Sequence, residues 1–141
     1  MDKAVIYSKL ESLRHCVERI RKKTPESVEQ LIEDYDLQDI ICVNLERSVQ
    51  ICIDIGAVII ADFDLTAPST MAEVFDQLVK LDYIPDDTAL RMKKAVGFRN
   101  IAVHTYKEID WAIVYSIATK RLNDFSLFAK SICEKIDKMT L

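Results

Sequence analysis

From Ile6 to Ile20 the apolar residues Ile6, Leu10, Leu13, Val17 and Ile20 follow one another at alternating steps of four and three. With 3.6 residues per turn, that spacing lines up one face of an α-helix and leaves Arg14, Glu18, Arg21 and Lys22 on the other side. The pattern recurs: Ile41, Leu45, Val49, Cys52, Ile59 and Phe63 keep near one stripe, and Ala89, Met92, Val96, Arg99 and Val103 share another. Ile113, Ile117, Leu122, Phe125, Ala129, Ile132 and Ile136 supply the inward positions of a last helix. Two glycines and three prolines in 141 residues leave few places for the tight turns a sheet needs. The chain is predicted to be all-α, a four- to five-helix bundle whose second and last helices are longest.

The breaks between these stripes are short. Thr24-Pro25 ends the first helix, and Pro25 suits the first turn of the second. Asp62 to Ser69 reads as a loop, after which Thr70 and Glu73 have the spacing of a capping box for a helix through Leu81. Tyr83-Ile84-Pro85 breaks the chain again, Asp86 or Asp87 can cap a fourth helix, and the last should run from near Ile109 to about Met139. Gly56, inside the second helix, marks either a close helix crossing or a tolerated glycine. Without repeats or a long linker, residues 1–141 read as a single helical domain. Cys16, Cys42, Cys52 and Cys133 form no CxxC pair, and the most apolar stretch, Ile51 to Phe63, is interrupted by Asp54. Both features predict a soluble cytoplasmic protein with free thiols and no membrane contact.

Charge is unevenly spread. Between Ala89 and Lys107 lie Arg91, Lys93, Lys94, Arg99 and Lys107 and no acidic residue. Taking those five from the 19 Lys and Arg leaves 14 to set against 23 Asp and Glu. From Thr24 to Glu46, conversely, there are seven acids and no base, a solvated face or a landing place for a basic partner. A basic island on an acidic chain suits a specific polyanion site rather than a general nucleic-acid coat, so Arg91, Lys93, Lys94 and Lys107 become candidate RNA contacts.

Inside the island, Arg99-Asn100-Ile101-Ala102-Val103-His104-Thr105-Tyr106 gathers a guanidinium, an amide, an imidazole and a phenol. The chain has no Gly-rich phosphate loop, no HExxH, no nucleophile elbow and no acidic cluster spaced for two metals, so no cofactor or metal is expected. Its histidines are His15, on a charged helix face and hence a surface residue, and His104. Cutting RNA without metal needs a base for the 2′-hydroxyl, an acid for the leaving 5′-oxygen and a cation for the charge on phosphorus. His104 can serve the proton steps and Arg99 the charge. One histidine is short of two proton transfers; a C2 homodimer joining two islands supplies the second. Five residues along a helix turn a side chain by roughly 500°, a net offset of ~140°. Either the helix therefore ends before His104 or the partners come from different chains.

At these residues the chain resembles the HEPN superfamily and, within it, the HepT-like toxins of HepT–MntA toxin–antitoxin systems. The resemblance spans nearly the whole chain: Asp39-Ile40-Ile41, Asn44-Leu45-Glu46-Arg47 and Gln50 with Asp54, then Gly97-Phe98-Arg99-Asn100 and His104-Thr105-Tyr106. It implies an HEPN-like C2 dimer of a type VII-like system: a metal-independent endoribonuclease acting on tRNA or other RNA. Arg99 and His104 would be catalytic at the dimer cleft, with Asn100 in support. It further implies a cognate MntA-like minimal nucleotidyltransferase antitoxin that transfers AMP onto the motif tyrosine, Tyr106. A second reading keeps the same fold as a non-catalytic module that dimerises, binds nucleotide and docks a nucleotidyltransferase.

Overall fold

The computed structural model describes residues 1–104 and 109–139, positions 101–104 by their backbone alone. Seven helices follow in order: α1 (Lys3–Lys23), α2 (Val28–Glu33), α3 (Tyr35–Ile60), α4 (Met71–Lys80), α5 (Asp86–His104), α6 (Trp111–Lys120) and α7 (Leu122–Lys138). No strand occurs among the described residues. The all-α class holds, while the count exceeds four or five because the two helices expected to be longest are each broken.

The first break is at Asp34, whose carboxylate accepts from the Leu37 amide at 3.1 Å and so starts α3 afresh. The second is at Arg121, whose amide closes α6 on the Ile117 carbonyl at 2.9 Å. As a result α3, with 26 residues, is the longest helix, and α7, with 17, is shorter than α1, with 21. Pro25 stands outside any helix. Ser27 caps α2 instead, and the Pro25 carbonyl accepts from Tyr115 Oη at 2.9 Å.

The break at Arg121 also shifts the phase of the last stripe. Ile113, expected inward, is 54% exposed, while Val114 and Ala118 are buried in its place and Phe128, outside the expected stripe, is fully enclosed. Phe63 lies beyond the end of α3 and is likewise exposed. By contrast Ile6, Leu10, Leu13, Val17 and Ile20 are all buried, as their spacing requires.

α3 is the hub: α1, α2, α4, α5 and α7 all pack on it. Its contact with α4 is close at Gly56, where an added Cβ would overlap Cγ1 of the buried Val74 and stand 3.2 Å from Cδ1 of Leu78. The glycine thus marks a close crossing. α4 begins where Thr70 Oγ1 accepts from the Glu73 amide at 3.2 Å. The Glu73 carboxylate reaches mainly to the Ser69 amide and hydroxyl, both at 2.8 Å, one residue earlier than the expected box, and these bonds hold its pKa below the ordinary range. α4 ends with Asp82 in the left-handed region at φ 62°, while the Tyr83 amide bonds back to the Leu78 carbonyl at 2.9 Å. That closes the helix as glycine usually does, with an aspartate that tolerates the conformation. Phe75 of α4 meets Phe128 of α7 edge to face, with centroids 5.8 Å apart.

All four cysteines are free. Burial raises the Cys42 thiol to about 11 and the Cys52 thiol well above its ordinary value, so both are inert thiols of the core.

The two glycines should answer oppositely to alanine. At Gly56 the methyl must displace the stiff Val74, at a cost of ~1–3 kcal/mol against a propensity gain of ~1 kcal/mol, so Gly56→Ala is expected to destabilise. Gly97, in α5, has nothing within 4 Å of the same position, and Gly97→Ala should stabilise by about 0.5–1 kcal/mol. Urea unfolding checks both, and shifts of the same sign would refute the assignment of Gly56 to a close crossing.

Candidate active site

Arg99 occupies the position on α5 where the stripe Ala89, Met92, Val96 would next place an apolar residue. Those three are buried against the core, and Arg99 is half-buried. A guanidinium cannot be left there unpaired without a large desolvation cost. Its partners come from two neighbouring helices. Nη2 donates to Gln50 Oε1 of α3 at 2.9 Å, and Nη1 donates to Met71 Sδ at the start of α4 at 3.3 Å. Gln50 Nε2 in turn donates to Asp54 Oδ1 at 2.9 Å, one turn along α3. Among the described residues the buried Arg99 Nε has no hydrogen-bond partner.

α5 continues as helix through His104. Of the two alternatives left by the sequence, an early helix end is thereby removed, and positions 99 and 104 stand about 140° apart around one axis. The His104 side chain, Tyr106 and Lys107 lie outside the described residues. Asn100 is exposed on α5, next to Arg99 in sequence but outside the Gln50–Asp54 chain of bonds.

The basic island divides over different sides of α5. Lys93 faces α4, its Nζ 2.9 Å from Asp76 Oδ1. Arg91 faces the other way, pairing through Nε with Asp87 at 2.9 Å and through Nη1 with Asp124 of α7 at 3.0 Å. Asp87 and Asp124 raise its pKa and hold it in the structure of the bundle. Lys94 is exposed. With Arg91, Leu45, Val49, Phe98 and Phe125 it lines a cavity of about 240 Å³, small for a nucleotide. Arg91 and Lys93, two of the candidate RNA contacts, are each engaged by carboxylates. His15 is at the surface, with Nε2 3.4 Å from Glu11.

Two residues beside Arg99 were not singled out as site residues. Gln50 carries a sequence signal, its spacing of four from Asp54 on a helix; Met71 carries none, since its contact depends on where α4 lies. Among the described residues no three His, Cys, Asp or Glu side chains gather as a metal-binding group. No described helix is long and apolar enough to cross a membrane.

The family described as "Ribonuclease HepT-like" matches residues 13–132. The chain belongs to the ribonuclease HepT-like family. It is 33% identical over 124 residues to the mRNA nuclease HepT of Shewanella oneidensis, covering 88% of this chain and 92% of the relative. It is 24% identical over 132 residues to the tRNA nuclease HepT of Aphanizomenon flos-aquae, covering 94% and 90%. Among solved structures it is similar to the tri-AMPylated Shewanella oneidensis HEPN toxin in complex with MNT antitoxin, with a TM-score of 0.85 and 32% identity over 92% of this chain and 97% of that one.

The HepT-like chain's cations should separate by role. Lys94→Ala is expected to reduce the slope of log affinity for RNA against log salt by ~0.7–1, the loss of about one phosphate contact. Arg91→Ala should change that slope less and lower the melting temperature more, because it leaves Asp124 without its partner. Filter binding over a salt series, with thermal melts of both variants, decides this; equal slopes and equal melts would contradict it.

Proposed function

We propose that this chain is the toxin of a toxin–antitoxin pair: an endoribonuclease that cuts RNA without a metal ion at a composite Arg99 and His104 site across a homodimer cleft. The observation carrying the reading is the unbroken course of α5 through His104. Positions ~140° apart on one helix do not converge on one phosphate, whereas two chains related by a two-fold axis can present an arginine and a histidine to the same point. The family match, the nuclease relatives and the likeness to a toxin bound to its antitoxin all support it.

In the proposed reaction one histidine removes the proton from the RNA 2′-hydroxyl, and that oxygen attacks phosphorus. The bond to the 5′-oxygen breaks, and the other histidine protonates the leaving oxygen. The products are a 2′,3′-cyclic phosphate and a 5′-hydroxyl. Arg99 meets the charge that builds on the non-bridging oxygens. The substrate class is RNA; the nuclease relatives are described, one each, by mRNA and tRNA.

Silencing belongs to the same proposal. A cognate minimal nucleotidyltransferase transfers AMP from ATP to Tyr106, two residues beyond His104. Each added phosphodiester brings a negative charge and a nucleotide into the space the RNA needs. The tri-AMPylated state of the Shewanella toxin supports this chemistry.

Mixing experiments test the shared cleft. If both histidines serve one cleft, activity falls as the square of the wild-type fraction when His104→Ala protein is exchanged in, to about a quarter at equal amounts. A linear fall would refute the shared cleft. Cleavage should survive EDTA and leave a cyclic phosphate; activity lost to chelator and restored by magnesium overturns the metal-free mechanism. For Tyr106, intact mass after incubation with the antitoxin and ATP should rise in multiples of AMP in the wild type and not in Tyr106→Phe, and an undiminished rise in the variant would remove Tyr106 as acceptor.

A further inference from the structure

We propose that Gln50 and Asp54 of α3 are positioning residues for Arg99, holding its guanidinium at the scissile phosphate through a neutral amide so that it is oriented without being neutralised. The inference rests on Arg99 acting on the phosphate, and adds to that reading the device that aims it. Three observations carry it. Arg99 Nη2 donates to Gln50 Oε1 at 2.9 Å, Gln50 Nε2 donates to Asp54 Oδ1 at 2.9 Å, and all three side chains are half-buried where α3 and α5 face each other.

The order of groups matters. A carboxylate in direct contact would fix the guanidinium equally well, but would form an ion pair and cancel much of the field that a developing phosphorane feels. With an amide between them, the carboxylate fixes which way the amide points: its NH₂ end faces Asp54, so its oxygen must face Arg99. The anion stays one side chain farther away, and the bonds reinforce each other as chains of hydrogen bonds do. On the other side Met71 Sδ accepts from Nη1 at 3.3 Å, a neutral and weak acceptor. Among the described residues both terminal nitrogens are therefore held by uncharged atoms, one bond to each, and a guanidinium nitrogen so held has a second N–H to offer a phosphate oxygen.

Competing roles explain less. A glutamine and aspartate four apart on a helix form an ordinary surface pair of small effect, and stability alone would favour replacing this set by apolar side chains.

The test is single-turnover cleavage of a labelled RNA oligonucleotide and a tRNA transcript by the full-length protein, with thermal melts of each variant. Gln50→Glu keeps the size and the acceptor but brings the negative charge into contact with Arg99. It is expected to lose ~10-fold or more, mainly in the single-turnover rate at saturating enzyme rather than in RNA affinity, while its melting temperature stays near the wild type. Asp54→Asn, which keeps an acceptor but no fixed charge, should lose less, and it carries the test if Gln50→Glu fails to fold. In an Arg99→Ala background neither substitution should reduce cleavage further, since both act through that guanidinium. A folded Gln50→Glu protein cutting at the wild-type rate overturns the proposal, as does a loss that multiplies with that of Arg99→Ala. Wild-type cleavage by Arg99→Ala would instead sink the catalytic role of Arg99, and the relay with it, so the two failures are distinguishable.

Discussion

The contact of α3 with α4 at Gly56 governs where the functional side chains can stand. With no side chain at that position, Val74 and Leu78 lie against the α3 backbone, and the start of α4 is carried close enough for Met71 to meet Arg99. α5 packs on both α3 and α4, so its orientation inherits their spacing. A larger residue at position 56 would push α4 outward, and the guanidinium would lose one of its two neutral supports. The fold and the site meet at one missing Cβ, because close-packed helices transmit a displacement instead of absorbing it.

Arg99 also shows how a bundle accommodates a charge at an otherwise apolar position. Burying an unpaired guanidinium is costly, and pairing it with a carboxylate would quench it. A relay through an amide avoids both extremes. Arg91, eight residues earlier on the same helix, takes the opposite course, with direct bonds to Asp87 and Asp124. One arginine ties α5 to α7, and the other has neutral partners among the described residues.

Nucleases described by mRNA and by tRNA share the family, which fits a catalytic core that reads the phosphodiester and leaves target choice to the surface around it. That surface differs strongly from end to end here. The acidic run from Thr24 to Glu46 would repel RNA, whereas Lys94 and Asn100 stand exposed on α5 beside Arg99's stretch of helix.

Much of this was legible in the sequence, for a local reason. Helical periodicity depends only on neighbours three and four residues away, so α1 and its five buried positions, the Asp62 to Ser69 loop, the Thr70 cap and the end of α4 could all be read directly. The surface place of His15 was legible too, through residue type and charge pattern. Tertiary structure decided the rest. The break at Arg121 rotated the last stripe, exposing Ile113 and burying Val114, because core contact and not local pattern selects among apolar neighbours. The meaning of Gly56 waited on the position of α4, and Arg91 and Lys93 found carboxylates distant in sequence, at Asp124 and Asp76. The link from Asp54 through Gln50 to Arg99 spans 49 residues between its last two members. Spacing along a chain sets which side chains share a face, but only the packing of one helix on another determines which faces meet.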